Sequence, residues 1–199
     1  MKKIIAGIAL VLGAFTTISA QDSKSSIIDR PTKNISVEIL GPSNLIGVHY
    51  DARFKGNKGW GYSIGAGWGF SQSSDFFNNV DRFNSISLIP RLNNLIGRKN
   101  HKLELGFGTN ISYVFGKEEY NTYKIVDKKD GVAQVEVDKH VKEHHKFLGY
   151  YFFCNIGYRR QALHGFVFRA GVSPSFGFGG SHSIVKLYIL PYISFGKSF

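Results

Sequence analysis

The chain predicts an all-β fold: an eight-stranded antiparallel up-and-down transmembrane β-barrel, preceded by a cleavable signal peptide. Three observations carry this expectation. Eight segments of about ten residues alternate apolar and polar side chains with period two, as strands with two different faces must. Gly accounts for 23 of 199 residues, and 17 Phe, 10 Tyr and 2 Trp stand beside it. Gly weakens a helix interior by ~1 kcal/mol and aromatics favour strands, so this pairing excludes a helical bundle. The only long apolar run lies at the N-terminus and is shorter than the ~20 residues of a spanning helix. A single Cys excludes a disulfide scaffold, and 43% hydrophobic residues excludes a disordered chain.

The first element is an address. Lys2 and Lys3 precede the apolar run Ile4 to Phe15, and Ile18-Ser19-Ala20 resembles a small-residue cleavage site. Residues 1–20 therefore read as a secretory signal peptide, and 21–33, polar with Pro31, as a flexible periplasmic leader. No Cys follows Ala20, so lipoprotein processing is not indicated.

The barrel is expected over 34–199. The first strand sets Ile35, Val37 and Ile39 against Ser36 and Glu38; the second sets Ile46, Val48 and Tyr50 against Gly47, His49, Asp51 and Arg53. The third is cleanest: Trp60, Tyr62, Ile64, Ala66, Trp68 and Phe70 against four Gly and Ser63. The fourth sets Ile86, Leu88, Pro90 and Leu92 against Ser85, Ser87, Ile89 and Arg91; the fifth sets Leu103 to Phe115, odd positions, against Glu104, Gly106, Gly108, Asn110 and Ser112. In the sixth, Tyr151 and Phe153 share the face of Gly157 and Arg159. The seventh runs 165–178 with Arg169 on its polar face, and the eighth 185–196 with Lys186, Tyr188 and Tyr192 on one face. Pro90, Pro174 and Pro191 remove ladder donors, so bulges or strand ends are expected there.

Alternation does not say which face is outside. A water-facing surface would carry charges, whereas the polar face of the third strand is nearly all Gly. Small residues suit a crowded lumen, with Tyr151, Phe153, Tyr188 and Tyr192 filling the opposite wall. Apolar-face aromatics cluster at strand ends. Phe54, Trp60, Tyr62, Tyr158, Phe166 and Phe195 mark one rim, and Trp68, Phe70, Tyr113, Phe115, Tyr150, Phe176 and Phe178 the other. Two such girdles belong to a membrane barrel.

With its signal peptide, eight alternating strands and terminal run Tyr192-Ile193-Ser194-Phe195-Gly196-Lys197-Ser198-Phe199, the chain resembles the small outer-membrane β-barrel family of the OmpX and OmpA type. The resemblance covers about residues 34–199 and rests on pattern. It implies a Gram-negative outer-membrane location among outer-membrane lipids and lipopolysaccharide. It also implies that the barrel-assembly machinery reads Ile193, Phe195 and Phe199, with Lys197 departing from the family's terminal pattern.

An even strand count puts both ends in the periplasm. The links 55–59, 96–101 and 160–163 are then periplasmic, and 41–44, 71–83, 116–146 and 178–183 face outward. Short inner turns and longer outer loops are the family's habit. The net charge is +11, and Lys55, Lys58, Arg98, Lys99, Lys102, Arg159 and Arg160 sit at or beside the periplasmic turns. Half of the 14 acids fall in 116–146. The basic rim reads either as contact with anionic headgroups or as solvated turns. Nucleic acid is excluded as a partner, because these bases ring a barrel mouth in a compartment without it.

The lumen is expected to hold a polar network of Glu38, His49, Asp51, Arg53, Arg91, Glu104, Arg159, Arg169 and Lys186, with Arg91, Glu104 and Arg169 at mid-barrel. Buried charges must pair. Eight strands leave room for side chains and not for an aqueous pore. In the long outer loop, Asp130-Gly131 between β-branched stretches predicts a hairpin, so that two strands project as a ribbon whose edge could pair with a surface protein partner. His140, His144 and His145 are candidate metal ligands only if that loop is helical. Ser181-His182-Ser183 has no nearby acid and does not match a serine hydrolase. Cys154 faces lipid. The expected function is a monomeric anchor, structural or surface-interacting, without cofactor or catalysis. The alternatives are a lipid A or phospholipid acyl-modifying enzyme and a narrow conduit for small apolar molecules.

Overall fold

A computed structural model describes residues 32–74, 80–129, 132–179 and 187–199. The expected signal peptide and all but the end of the leader lie outside these. So do Asp130-Gly131, Ser181-His182-Ser183 and Lys186.

Eight antiparallel strands follow one another around a closed ring. They are β1 Lys33–Leu40, β2 Ile46–Arg53, β3 Gly59–Ser74, β4 Val80–Arg98, β5 His101–Lys129, β6 Val132–Gln161, β7 Gly165–Gly179 and β8 Tyr188–Ser198. The seam is β1 on β8, with Val37 opposite Phe195 and Ile39 opposite Ile193. β1 takes in Lys33, the last residue of the expected leader, whose N–H and carbonyl pair with Phe199.

The barrel is inside out relative to a water-soluble one. At mid-strand, Ile64 and Leu88 are 51% and 53% exposed, while Glu38, Glu104 and Arg159 are fully buried. A continuous apolar belt of this kind is the surface of a protein solvated by lipid, which makes this a transmembrane barrel. On the belt, Phe54 packs on Tyr62, and Phe166 and Phe168 pack on Phe195, near the end that carries the termini. Tyr113 meets Phe115, and Phe152 meets Tyr150 and Phe176, toward the other end. Trp60, Trp68 and Phe70 are exposed along the outer face of β3. From Trp60 to Phe70 is ~33 Å of strand, or ~25 Å of barrel height at a tilt of about 40°. The side chain of Phe178 lies outside those described.

β5 and β6 run on through the expected loop 116–146 as a paired ribbon, with Tyr120 opposite Val141 and Lys129 opposite Val132. Register shifts fall between Thr122 and Tyr123 and between Ile125 and Asp127. The period-two reading stops short there because neither face of a ribbon above the membrane must be apolar.

Three expectations are corrected. First, the prolines do not create bulges. Pro90 stays in register opposite Ile64, and the β4–β5 ladder skips 89–90 and resumes at Arg91 without a shift. Pro174 likewise keeps register with Ile189, and the β6–β7 shift lies further on, near Gly177 with φ +67°. Pro191 does lie at a pairing end as expected: it is the residue before Tyr192, where the β1–β8 pairing stops, while it stays opposite Val172 of β7. Second, Tyr188 does not fill the lumen: it lies opposite Ser175 at the open end of β8 and is exposed. Third, the link 41–44 does not project from the end of the barrel it connects. Gly41–Ser43 form one 3-10 turn buried in the barrel mouth.

The detergent-refolded chain is expected to migrate differently on a gel when unboiled and when boiled; solubility without detergent and no mobility difference would overturn the inside-out assignment. Ile64→Arg, on the lipid face at mid-strand, is expected to cost ~2–4 kcal/mol of stability in a bilayer, read from chemical unfolding in vesicles.

Candidate functional site

Because every second residue of a strand faces inward, each strand delivers polar groups to one axis. β2 supplies His49, Asp51 and Arg53; β4 supplies Arg91 and Asn93; β5 supplies Lys102 and Glu104. β1, β6 and β7 add Glu38, Arg159 and Arg169, and all of these are buried.

The charges form one alternating chain along the lumen. Arg53 donates to both oxygens of Asp51 at 3.0 and 2.9 Å. Arg159 donates to the same carboxylate at 2.8 and 3.2 Å and reaches Glu104 at 3.6 Å. Glu104 receives two parallel bonds from Arg169, both 2.8 Å. Arg169 also reaches Glu38 at 3.3 Å, and Glu38 receives Arg91 at 3.2 Å. The order is therefore Arg53, Asp51, Arg159, Glu104, Arg169, Glu38, Arg91. Asn93 ties the lower part together: it donates to Asp51 at 2.8 Å and to Glu104 at 3.1 Å, and contacts Arg53. Asn34 donates to Asp51 at 3.0 Å. Arg91 and Arg169 lie over the rings of Phe153 and Tyr192, which cover the guanidinium faces.

Glycines make the space. A side chain at Gly61 would collide with the guanidinium of Arg53, and one at Gly65 with the imidazole of His49. The small-residue face of β3 is thus the wall against which the long side chains of β2 lie.

The 3-10 turn closes the outer end of this chain. Ser43 donates to Glu38 at 2.8 Å and lies 2.7 Å from His49 Nε2. The carbonyl of Pro42 accepts from Asn110 at 2.7 Å and from Tyr151 at 3.2 Å. Leu40 and Asn44, at φ 63° and 64°, flank the turn. Left-handed backbone at two non-glycine residues is what folding so short a link inward requires. Above it lies a cup of about 500 Å³, lined by Asn44, Ser85, Ser112, Phe83, Val114 and Phe147.

Of the residues expected in the lumen, Glu38, His49, Asp51, Arg53, Arg91, Glu104, Arg159 and Arg169 converge here, and Lys186 lies outside the described residues. Asn34 and Ser43, and the part that Asn93 plays from the polar face of the fourth strand, escape the sequence reading because neutral side chains carry no signal of pairing. Lys102, expected at or beside a turn, faces inward opposite Arg159.

The other candidates separate. His140 and His144 lie on a strand, about 13 Å apart on one face at ~3.3 Å per residue, and His145 points to the other face. No group of three metal-ligating side chains forms among the described residues. On the ribbon, His145 lies 3.1 Å from Glu118, and Lys142 lies 3.4 Å from Glu119. Tyr120 donates to Glu143 at 3.0 Å, and that carboxylate pushes the phenol's pKa up. Exposed pairs of this kind contribute little stability. Ser43 and His49 are a hydroxyl–imidazole pair, but Glu38 sits on the same Nε2 side, and Nδ1 has no partner among the described residues. A hydrolytic triad needs its acid on the opposite nitrogen. Cys154 is half-buried opposite Phe107 on the outer face.

No protein-family model matches the chain, and no curated protein matches its sequence. Two solved structures are similar in chain course. The crystal structure of Ail, the attachment invasion locus protein of Yersinia pestis, is 10% identical, with 86% of this chain and 97% of that chain covered and a TM-score of 0.41. The same protein in complex with the heparin analogue sucrose octasulfate is 12% identical at the same coverage, with a TM-score of 0.36. The barrel assignment rests on the strand pairing above and not on these likenesses.

Asp51→Asn is expected to destabilise the barrel by ~3–5 kcal/mol, because it strands two buried guanidiniums. Pairing it with Arg159→Gln removes one of those charges and should recover part of the loss, measured by a double-mutant cycle of unfolding in vesicles.

Proposed function

We propose that the protein is an outer-membrane anchor that holds the β5–β6 ribbon at the cell surface, where an edge of the ribbon receives an extended strand of another protein. One observation carries this reading. The pairing of β4 with β5 ends at Val80 and Glu119, and that of β6 with β7 ends at Tyr150 and Gly179. Beyond those points β5 and β6 pair with each other alone among the described residues. Unpaired strand edges carry free N–H and C=O groups, and β-augmentation is the recognition mode they offer.

The remaining expectations fit this reading. The termini and short turns face the periplasm, the belt meets lipopolysaccharide and phospholipid, and residues 1–20 direct export. Ile193 and Phe195, outward on β8, and Phe199 at its end supply the assembly signal. The lumen is filled by paired side chains, which disfavours a conduit, and the Ser43–His49 pair lacks the geometry of an acyl hydrolase. These features support a chain that acts by contact.

The test exploits the pairing of Tyr120 with Val141. Replacing 121–140 by Asn-Gly joins these partners through a two-residue turn of the preferred type. The shortened chain is expected to keep its unboiled gel mobility. A photo-crosslinking residue at Val141 should give discrete surface adducts in the full chain and none in the shortened one. Equal adducts in both, or none in the full chain on cells exposed to their natural surroundings, would sink the proposal.

A further inference from the structure

We propose that the periplasmic mouth of the barrel is a phosphate-binding site built from Arg53, Lys102, Arg159 and Gln161. The proposal does not depend on the ribbon.

Three observations meet there. The first is a charge imbalance. Among the described residues, four arginines and Lys102 are buried with only three carboxylates, Glu38, Asp51 and Glu104, an excess of two positive charges. The alternating chain both begins and ends in arginine, so pairing inside the lumen does not remove the excess. It accumulates at the lower end: Arg53 and Arg159 share Asp51, while Glu104 is held by Nε and Nη2 of Arg169 at 2.8 Å and meets Arg159 only at 3.6 Å. Lys102 lies directly opposite Arg159, and its ammonium donates to the carbonyl of Lys99 at 2.9 Å. An unbalanced buried cation is costly.

The second is a set of hydrogen-bonding groups with no partner among the described residues. They are Nε of Arg53, Nε of Arg159 and the amide nitrogen of Gln161. All three side chains are buried, and such groups each cost ~1–3 kcal/mol when left unsatisfied. Lys102 and Arg159 are directly opposite each other on β5 and β6, and Gln161 is two residues on along the same face. Guanidinium, ammonium and amide N–H groups in one place are the donor set that a tetrahedral oxyanion takes.

The third is the approach. The turns 54–58, 99–100 and 162–164 contain Lys55, Lys58, Lys99 and His164 and no acidic side chain. A basic rim around a low-dielectric mouth concentrates anions at it. Chloride would balance charge but would use few of these donors. A phosphate group has oxygens for all of these donors; inorganic phosphate carries up to two negative charges and offsets the whole excess, and a phospholipid's phosphodiester carries one and offsets half of it. It can come from inorganic phosphate in the periplasm or from the headgroup of an anionic phospholipid in the inner leaflet.

The experiment uses the refolded mature chain in two settings. In octyl glucoside at constant ionic strength, thermal unfolding is followed with inorganic phosphate replacing chloride. In nanodiscs of phosphatidylcholine with phosphatidylglycerol, retained lipid is counted by native mass spectrometry. Lys102→Met removes the excess charge at its centre. Lys58→Gln tests the same field from an exposed turn, where folding is not at stake, and unboiled gel mobility checks both variants. A phosphate-dependent rise in unfolding temperature, with affinity weakened about tenfold or more in Lys102→Met and less in Lys58→Gln, establishes the site with free phosphate as its ligand. No rise in detergent but retention of phosphatidylglycerol, lost in the variants, establishes it with the lipid headgroup. Overturning outcomes are the absence of both effects and effects of equal size in wild type and variants.

Discussion

Everything in this barrel depends on the need to pair charge where water is scarce. A strand that shows lipid one face has only its other face for polar residues, and eight such faces meet on a single axis. The solution is a chain of seven ionised side chains in which every carboxylate touches at least two arginines. Arginine suits the task because its planar fork reaches two acids at once: Arg159 joins Asp51 to Glu104, and Arg169 joins Glu104 to Glu38. Each link crosses between strands far apart in sequence, so the chain ties the ring together from within. Buried ion pairs are weak evidence of net stability, yet breaking one is expensive, and that asymmetry holds the barrel in this one arrangement.

The same constraint shapes the outer end. His49 and Glu38 at the top of the chain would otherwise open into the mouth, and the inward 3-10 turn covers them with the Ser43 hydroxyl. A three-residue link folded inward needs left-handed backbone on both sides, which Leu40, Gly41 and Asn44 adopt. Above this lid the requirement lapses. Beyond Glu119 and before Tyr150 the two longest strands leave their neighbours, and their charges sit on both faces, exposed and loosely paired. A paired ribbon leaves open strand edges, whereas a closed ring has none.

The sequence made part of the site legible and hid the rest for identifiable reasons. Period two assigned Glu38, Asp51, Glu104 and the four arginines to the inner face, and the glycines of the third strand showed that this face was crowded. Register was hidden, because which residues oppose each other depends on strand pairing over long separations. Lys102 therefore looked like a residue at or beside a turn until its pairing with Arg159 turned it inward. Tyr188 shares a face with Tyr192 and looked equally buried, but β8 outruns β1 and leaves it at the mouth. The prolines suggested breaks; two of the three were absorbed because their neighbouring pairs keep register around them.

What the sequence alone determined is the class of object: eight two-faced strands, an apolar belt bounded by aromatics, a polar interior and a long outer hairpin. These follow from side-chain periodicity, which is local and survives in any register. What only the tertiary structure decided is which charge meets which, that the first link folds inward as a lid, and that among the described residues the interior holds more buried cations than anions, with Lys102 at the end that carries the termini. Those depend on closure of the ring between β1 and β8, because only a closed ring brings β2, β5, β6 and β7 within reach of one another across its axis.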